Sequence, residues 1–546
     1  MSASSKKKLR KELEAAKLTE KQLAAQQEAK KVNLYTTLFV VAMAVILVIA
    51  VTVGIKQTIA SHGIMEKKTV AMTVGDNEIS NAELSYFYMD NVNNFLNTYG
   101  SYAAMFGLDT GKPLNEQFVD EEEGLTWADD FLNAAKNTAK TAYTLADAAE
   151  AAGFSLSAEE VTALESVMEN LNLVAPMNGY ASGEAYLKAI YGNGASEEGY
   201  LEYMKLTALA DAYYQEYAKS LTYGEDVLRA KDAENPGAYD SYDFNSYYLA
   251  ANKFYEGGTT AEDGTTTYSD AEKAAGAAAA EEAANSLIAA EIVTAADLDA
   301  AIAALEINKD TTASSTANTG VLSSSISSLY TDWVTDSSRK AGDKTVVANT
   351  STDAEGNETV NGYYVLMFGG SSKNEIALAN VRHILVSFEH GTEVSEDHDH
   401  SATGYTDEEK AAAKAAAEEI LAQWNEGEKT EDSFAALAIE KSTDTGSASN
   451  GGLYENVFPG RMVPAFNDWC FDESRASGDT GIVESDSGYH VMYYVGDADI
   501  TYRDYMIAEE LRSNDVSQWY SALVESATVT EGDTKYINTD LVLTQG

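Results

Sequence analysis

The chain is 546 residues long, too long for one ordinary hydrophobic core, so several domains are expected. It carries 87 acidic against 37 basic side chains, a formal net charge of −50, which excludes nucleic acid or an anionic membrane surface as the main partner of the soluble part and suits basic or unfolded polypeptides. Cys470 is the single cysteine, which excludes an intrachain disulfide and leaves no thiol near the N-terminus to take a lipid.

The charge is uneven. Residues 1–31 hold nine lysines and arginines, from Lys6 to Lys31, against four glutamates. This basic arm precedes segment 32–55, whose core, "LYTTLFVVAMAVILVIAVTVGI" at 34–55, has no charge and the length of a bilayer-crossing helix. The arm is long for a signal-peptide n-region, the apolar run exceeds a typical h-region and no A-x-A site follows. The stretch therefore reads as an uncleaved transmembrane signal anchor rather than a cleaved signal peptide or a buried core helix. Positive charge on its N-terminal side predicts a cytoplasmic arm and an extracytoplasmic remainder.

Residues 69–75, "TVAMTVG", alternate as a short strand, and Ser80 with Glu83 three positions on predicts a capping box opening an amphipathic helix. Helical spacing continues through 126–153, 157–172 and 182–221, so segment 56–235 is expected to be mainly helical. Asn235-Pro236-Gly237 then punctuates the chain, and the pattern turns to short strands, an alanine-rich helix and loops.

This second half contains an internal repeat. "TTYSDAEKAAGAAAAEEA" (266–283) matches "TGYTDEEKAAAKAAAEEI" (403–420), and "YTDWVTDSSRKAGD" (330–343) matches "FNDWCFDESRASGD" (466–479). "GYYV" at 362–365 answers "GYHV" at 488–491, after an insertion of about ten residues. Alanine-rich helices resemble one another by chance, but the second pair is not of low complexity and the order is kept. Two copies of one α+β unit are expected, at 236–370 and 371–498, followed by a helix and tail at 499–546.

The second copy holds "VRHILV" (381–386), "KSTDTGSASNGGLY" (441–454), "PGRMVPAF" (459–466) and "GYHV" (488–491). In these four motifs, in this order, residues 376–496 resemble the parvulin family of peptidyl-prolyl isomerases. The anchored layout, with a helical segment opening on "NEISNAEL", is similar to extracytoplasmic foldases of the PrsA and SurA type. The resemblance implies that His383 and His490 are the paired family histidines on adjacent strands at the floor of the site. It puts Asp444 near the substrate carbonyl, and Met462 and Phe466 around the proline ring. Tyr454 stands where the family more often has leucine, and Glu455 where glycine follows, which alters one pocket wall. It implies no cofactor and no metal.

These residue types suit the chemistry on their own account. Rotation about an X-Pro bond crosses a barrier of about 18–20 kcal/mol without making or breaking a bond. A catalyst needs an apolar socket for the ring and a polar network that favours the twisted amide. Methionine and phenylalanine fit the socket, and a histidine pair with a carboxylate fits an orienting network. Each has a plainer reading: His383 as a satisfied core histidine, Met462 and Phe466 as core, and "TDTG" around Asp444 as an ordinary turn. Cys470 beside Trp469 reads as a packing residue.

"EHGTEVSEDHDHS" gathers His390, His398 and His400 with Asp397 and Asp399, but it lies where a solvated loop links strand to helix. Its acidity speaks against phosphorylated substrates. In the first copy Tyr247 and Tyr364 are expected at the histidine positions, with Ile326 and Tyr330 at those of Met462 and Phe466. That copy is expected to keep the fold without the activity. The expectation is an α+β chain with a transmembrane helix, a helical chaperone domain, a degenerate and an intact parvulin unit, and a C-terminal helix that packs back on the N-terminal helices. Its partners are the cytoplasmic membrane, through 34–55, and unfolded X-Pro-containing clients.

Overall fold

The computed structural model describes Lys7 and residues 63–543, apart from 355 and 390–404. The rest of the basic arm, the apolar 34–55 stretch and the loop with His390, His398 and His400 lie outside the described residues. Among the described residues no helix is long and apolar enough to cross a membrane. The chain divides into two compact units, one from residues up to 222, 427–452 and 511 onward, the other from 223–426 and 453–510.

The first unit opens with a hairpin, β1 (Val70–Val74) and β2 (Asn77–Ser80). Helix α1 (Asn81–Tyr99) follows with the capping box complete: the Ser80 hydroxyl accepts from the Glu83 N–H, and the Glu83 carboxylate accepts from the Ser80 N–H. Further helices are α2 (Trp127–Ala151), α3 (Ala158–Val174), α4 (Gly183–Tyr191) and α5 (Glu197–Ser220). The helical pattern over 182–221 is thus two helices. Gly192, at φ 95°, ends the first, and the Ser196 hydroxyl caps the second.

The end of the chain completes this unit. Strand Val529–Glu531 pairs antiparallel with β1 in the register Met72 to Glu531. Fully buried Asn81 donates to the Thr69 and Asp533 carbonyls and accepts from the Tyr536 N–H, so one side chain ties both ends of the unit together. Trp519 stacks on Tyr217, with centroids 3.8 Å apart, and Ile537 and Leu543 join the helical core.

The second unit holds two four-stranded antiparallel sheets. The first comprises β3 (Ser241–Ala250), β4 (Thr316–Leu322), β5 (Lys344–Thr352) and β6 (Glu358–Ser372), with helices α6 (Asp270–Ser286) and α7 (Ala295–Ala304) inserted between β3 and β4. The second comprises β7 (Ala377–Ser387), helix α8 (Asp407–Glu426), β8 (Leu453–Val457), helix α9 (Pro464–Cys470), β9 (Thr480–Ser485) and β10 (Gly488–Thr501). Helix α10 (Tyr502–Ser526) follows directly. The sheet orders are β4-β3-β6-β5 and β8-β7-β10-β9, the same topology twice.

Local contacts repeat as well. Arg339 stacks on Trp333 and its Nε donates to the Trp333 carbonyl at 3.0 Å; Arg475 does the same with Trp469 at 3.1 Å. Gly342 and Asp343 bracket Phe368 through two backbone hydrogen bonds, and Gly478 and Asp479 bracket Tyr494 identically.

The register corrects one expectation. His383 lies opposite Met492, and Gly488 opposite Ser387. In the first sheet Gly362 lies opposite Ala250, and Leu366 opposite Ser246. The residue in the place of His383 is therefore Ser246, not Tyr247. A one-residue shift reverses the face in a strand. Tyr247 packs with the α6 side of the sheet and accepts from the Asn308 amide at 2.9 Å, while the Ser246 hydroxyl accepts from Asn318 at 3.0 Å. Tyr364 does occupy the place of His490, and Ile326 and Tyr330 join it in the apolar cluster on that face.

Candidate functional site: a histidine pair on adjacent strands

The run "NVRHILVSF" is the β7 strand, central in its sheet, with β10 on one side and β8 on the other. Alternate residues point to opposite faces, so His383 and Leu385 share a face, as do His490 and Met492 on β10. The pairing sets His383 against Met492 and Leu385 against His490, which makes the two histidines diagonal neighbours across the ladder. Their Nδ1 atoms are 3.0 Å apart and the rings nearly parallel, at 24°. One Nδ1 must donate and the other accept, so each ring fixes the tautomer of its neighbour, and a doubly protonated pair cannot make the bond. The far nitrogen of His490, Nε2, lies 2.8 Å from the Ser485 hydroxyl.

Helix α9 supplies the apolar lining. Pro464 at its first position suits a helix start, and Phe466 and Cys470, four residues apart, fall on its buried side. The Phe466 ring stands edge-on to both imidazoles, at 5.3 and 5.5 Å. Tyr454, on β8 opposite Val381, lies 5.3 Å from His383. Met462 packs against the same cluster.

Exposure sorts these residues. His383 is 3 % exposed, His490 7 % and Phe466 2 %, whereas Tyr454 and Met462 are half-buried. Tyr454 and Met462 are thus among the half-buried members of the cluster, whereas Phe466 and the two histidines are buried. Cys470 is a core residue, and burial pushes its thiol up to about 12, which leaves it unreactive near neutrality.

Asp444 belongs to the first unit, just beyond helix Glu431–Lys441. Its carboxylate accepts from the Ser447 hydroxyl at 2.5 Å and the Gly446 N–H at 3.1 Å, the signature of a turn. Ser485 is the partner that sequence reasoning missed. Its position five residues before His490, on the strand hairpinned to β10, was the available signal.

Residues 363–496 match the PPIC-type PPIase domain, so this part of the chain is a parvulin-type isomerase domain. Over 82 residues the chain is 39 % identical to foldase protein PrsA 1 of Listeria innocua serovar 6a, which covers 15 % of this chain and 26 % of that one. It is 38 % identical over 82 residues to foldase protein PrsA 1 of Listeria monocytogenes serotype 4b, with the same coverage. The match thus spans about a quarter of the length of these relatives. Among solved structures, PrsA from Bacillus subtilis overlays 76 % of this chain and 93 % of its own, at 13 % identity and a TM-score of 0.26.

Proposed function

We propose that the chain is a membrane-anchored, extracytoplasmic peptidyl-prolyl isomerase and chaperone that assists the folding of exported proteins. The observation that carries this reading is the His383–His490 pair, 3.0 Å apart, with the half-buried Tyr454 ring 5.3 Å from His383. The proline ring of a client seats against Met462 and Tyr454, with the buried Phe466 backing them. The histidine pair, with Ser485 behind it, orients the network that favours the twisted amide over the planar one. No proton leaves the substrate and no covalent bond forms, so the histidines act by fixed polarity rather than as acid and base. The first copy, with serine and tyrosine in place of the histidines, carries no isomerase activity.

The apolar, uncharged stretch at 34–55 behind a basic arm supports a single-pass anchor with the N-terminus in the cytoplasm. The helical unit serves as the chaperone module for unfolded chains. Exchange spectroscopy on a short X-Pro peptide tests the enzyme reading: the protein accelerates cis/trans exchange, and Met462→Ala weakens that acceleration. No acceleration above background by the parent protein removes the isomerase and leaves a chaperone that only binds peptide. Membrane fractionation with protease protection tests the anchor, with residues 1–31 protected on the cytoplasmic side.

A further inference from the structure

The first sheet of the second unit ends on an unguarded strand. Its order β4-β3-β6-β5 leaves β5 (Lys344–Thr352) paired on one side only, by β6. Among the described residues no second strand and no loop backbone hydrogen-bonds to residues 345–352 from the other side. Such an edge presents a row of N–H and C=O groups that templates a further strand, and folded chains ordinarily blunt it with charge, proline, bulges or short length.

The other three edges of the two sheets follow that rule. Strand β4 is bulged between Asn318 and Val321, with Gly320 at φ 65°. Strand β8 is bulged between Tyr454 and Val457, with Asn456 at φ 51°. Strand β9 has six residues and carries Glu484.

Strand β5 has none of these devices. It is nine residues long, with no proline, glycine or charge from Thr345 to Thr352, and the one register shift in its pairing, at Asn361, falls on β6. Lys344, at its start, is held by the Ala289 and Ile292 carbonyls. The length is particular to this copy. By register Val347 stands in the place of Val483 and Asn349 in that of Ser485, so the insertion carries β5 past the point at which β9 turns. The Phe368 N–H donates to the Asp343 carbonyl, and alternation along the antiparallel ladder then points the N–H and C=O of Val346 and Ala348 away from β6.

We propose that this edge is a second, non-catalytic polypeptide site, which takes a proline-free, extended segment of an unfolded chain by strand addition. The proposal rests on the foldase reading for its class of client but not on isomerase activity. Recognition runs through main-chain hydrogen bonds, so it tolerates most side chains and rejects proline, which has no N–H to give. The two copies thus divide a client between them, prolyl bonds going to the second and proline-free stretches to the first. A second copy of this chain fits the edge less well. Antiparallel self-pairing about Ala348 sets Asp343 opposite Asp353, and like charges directly opposite destabilise a sheet.

The test uses the full-length protein in detergent and a fluorescent peptide of alternating threonine and valine with lysines at its ends, with binding read by anisotropy. The same peptide N-methylated at alternate residues keeps its side chains, loses the donors of one edge and binds about tenfold more weakly. Ala348→Pro, at an exposed position whose N–H points outward, removes one donor from β5 and raises the Kd of the unmethylated peptide about tenfold. The exchange rate of a short X-Pro peptide stays at the parent value. Should Ala348→Pro fail to fold, the two peptides on the parent protein decide alone. Equal affinity for the two peptides, or full affinity in folded Ala348→Pro, overturns the proposal, as does a parent dimer that this substitution splits. A parent that binds the peptide without accelerating X-Pro exchange overturns only the enzyme reading.

Discussion

His383 and His490 are 107 positions apart in sequence, yet their Nδ1 atoms meet at 3.0 Å because antiparallel pairing of β7 with β10 sets them diagonally on one face. Neither ring can keep this bond without the other. Removing one leaves a buried polar atom without this partner, which costs about 1–3 kcal/mol. His383→Ala and His490→Ala are each expected to lower the acceleration of X-Pro exchange by about fivefold to a hundredfold. The double variant should cost little more than either single change, because the rings act as one unit. Exchange rates for the three variants, with circular dichroism as a check on folding, decide this. Multiplying losses would mean that the rings act independently.

Met462 and Phe466, though both apolar and four residues apart, should behave differently. Phe466 is 2 % exposed inside the cluster of the second sheet, so Phe466→Ala should destabilise that unit by about 3–5 kcal/mol. Met462 is half-buried, so Met462→Ala should leave thermal stability nearly unchanged and raise KM for prolyl peptides severalfold. A KM unchanged in Met462→Ala would take this side chain out of the proline socket.

Much of this arrangement is legible in the sequence because it is local or repeated. The Ser80–Glu83 capping box, the strand around His383 and the duplicated Trp-Arg turn at 333–339 and 469–475 each follow from spacing alone. Register is harder. Tyr247 and Ser246 differ by one position, and only the hydrogen-bonded pairing with β6 tells which of them faces the cluster. The partner of His490, Ser485, is signalled only by its place five residues earlier, and whether the two meet depends on where the hairpin turn falls. The pairing of 529–531 with β1 joins residues more than 450 positions apart, and no periodic pattern of three residues announces it.

Asn93 offers a test of stability in the helical unit. It is 5 % exposed on α1, and neither its amide nitrogen nor its oxygen has a hydrogen-bond partner among the described residues. A buried unpaired polar group costs about 1–3 kcal/mol, and replacing it with an apolar group of similar shape recovers most of that. Asn93→Leu should therefore raise the midpoint of urea unfolding. A lowered midpoint would show that the amide makes a bond essential to the core.

Asp90 on α1 should give the helical unit a pH dependence opposite in sign to that of a salt-bridged carboxylate. Burial pushes its carboxyl up to about 6 from 3.8, against the pull of hydrogen bonds donated by the Tyr203 hydroxyl at 2.6 Å and the Tyr191 hydroxyl at 3.3 Å. The folded state thus holds this proton more tightly than the unfolded state. The contribution of Asp90 is most favourable below about pH 4, declines as pH rises to about 6 and is constant above, a span on the order of 2–3 kcal/mol at 1.36 kcal/mol per pH unit. Other carboxylates titrate in the same window with the opposite sign, so the parent must be compared with Asp90→Asn. Native-state hydrogen exchange of α1 amides, corrected for intrinsic rates, supplies the comparison at each pH. The parent-minus-variant difference should fall between pH 4 and 6, and a flat or rising difference would show that the two tyrosines, rather than burial, govern this carboxyl.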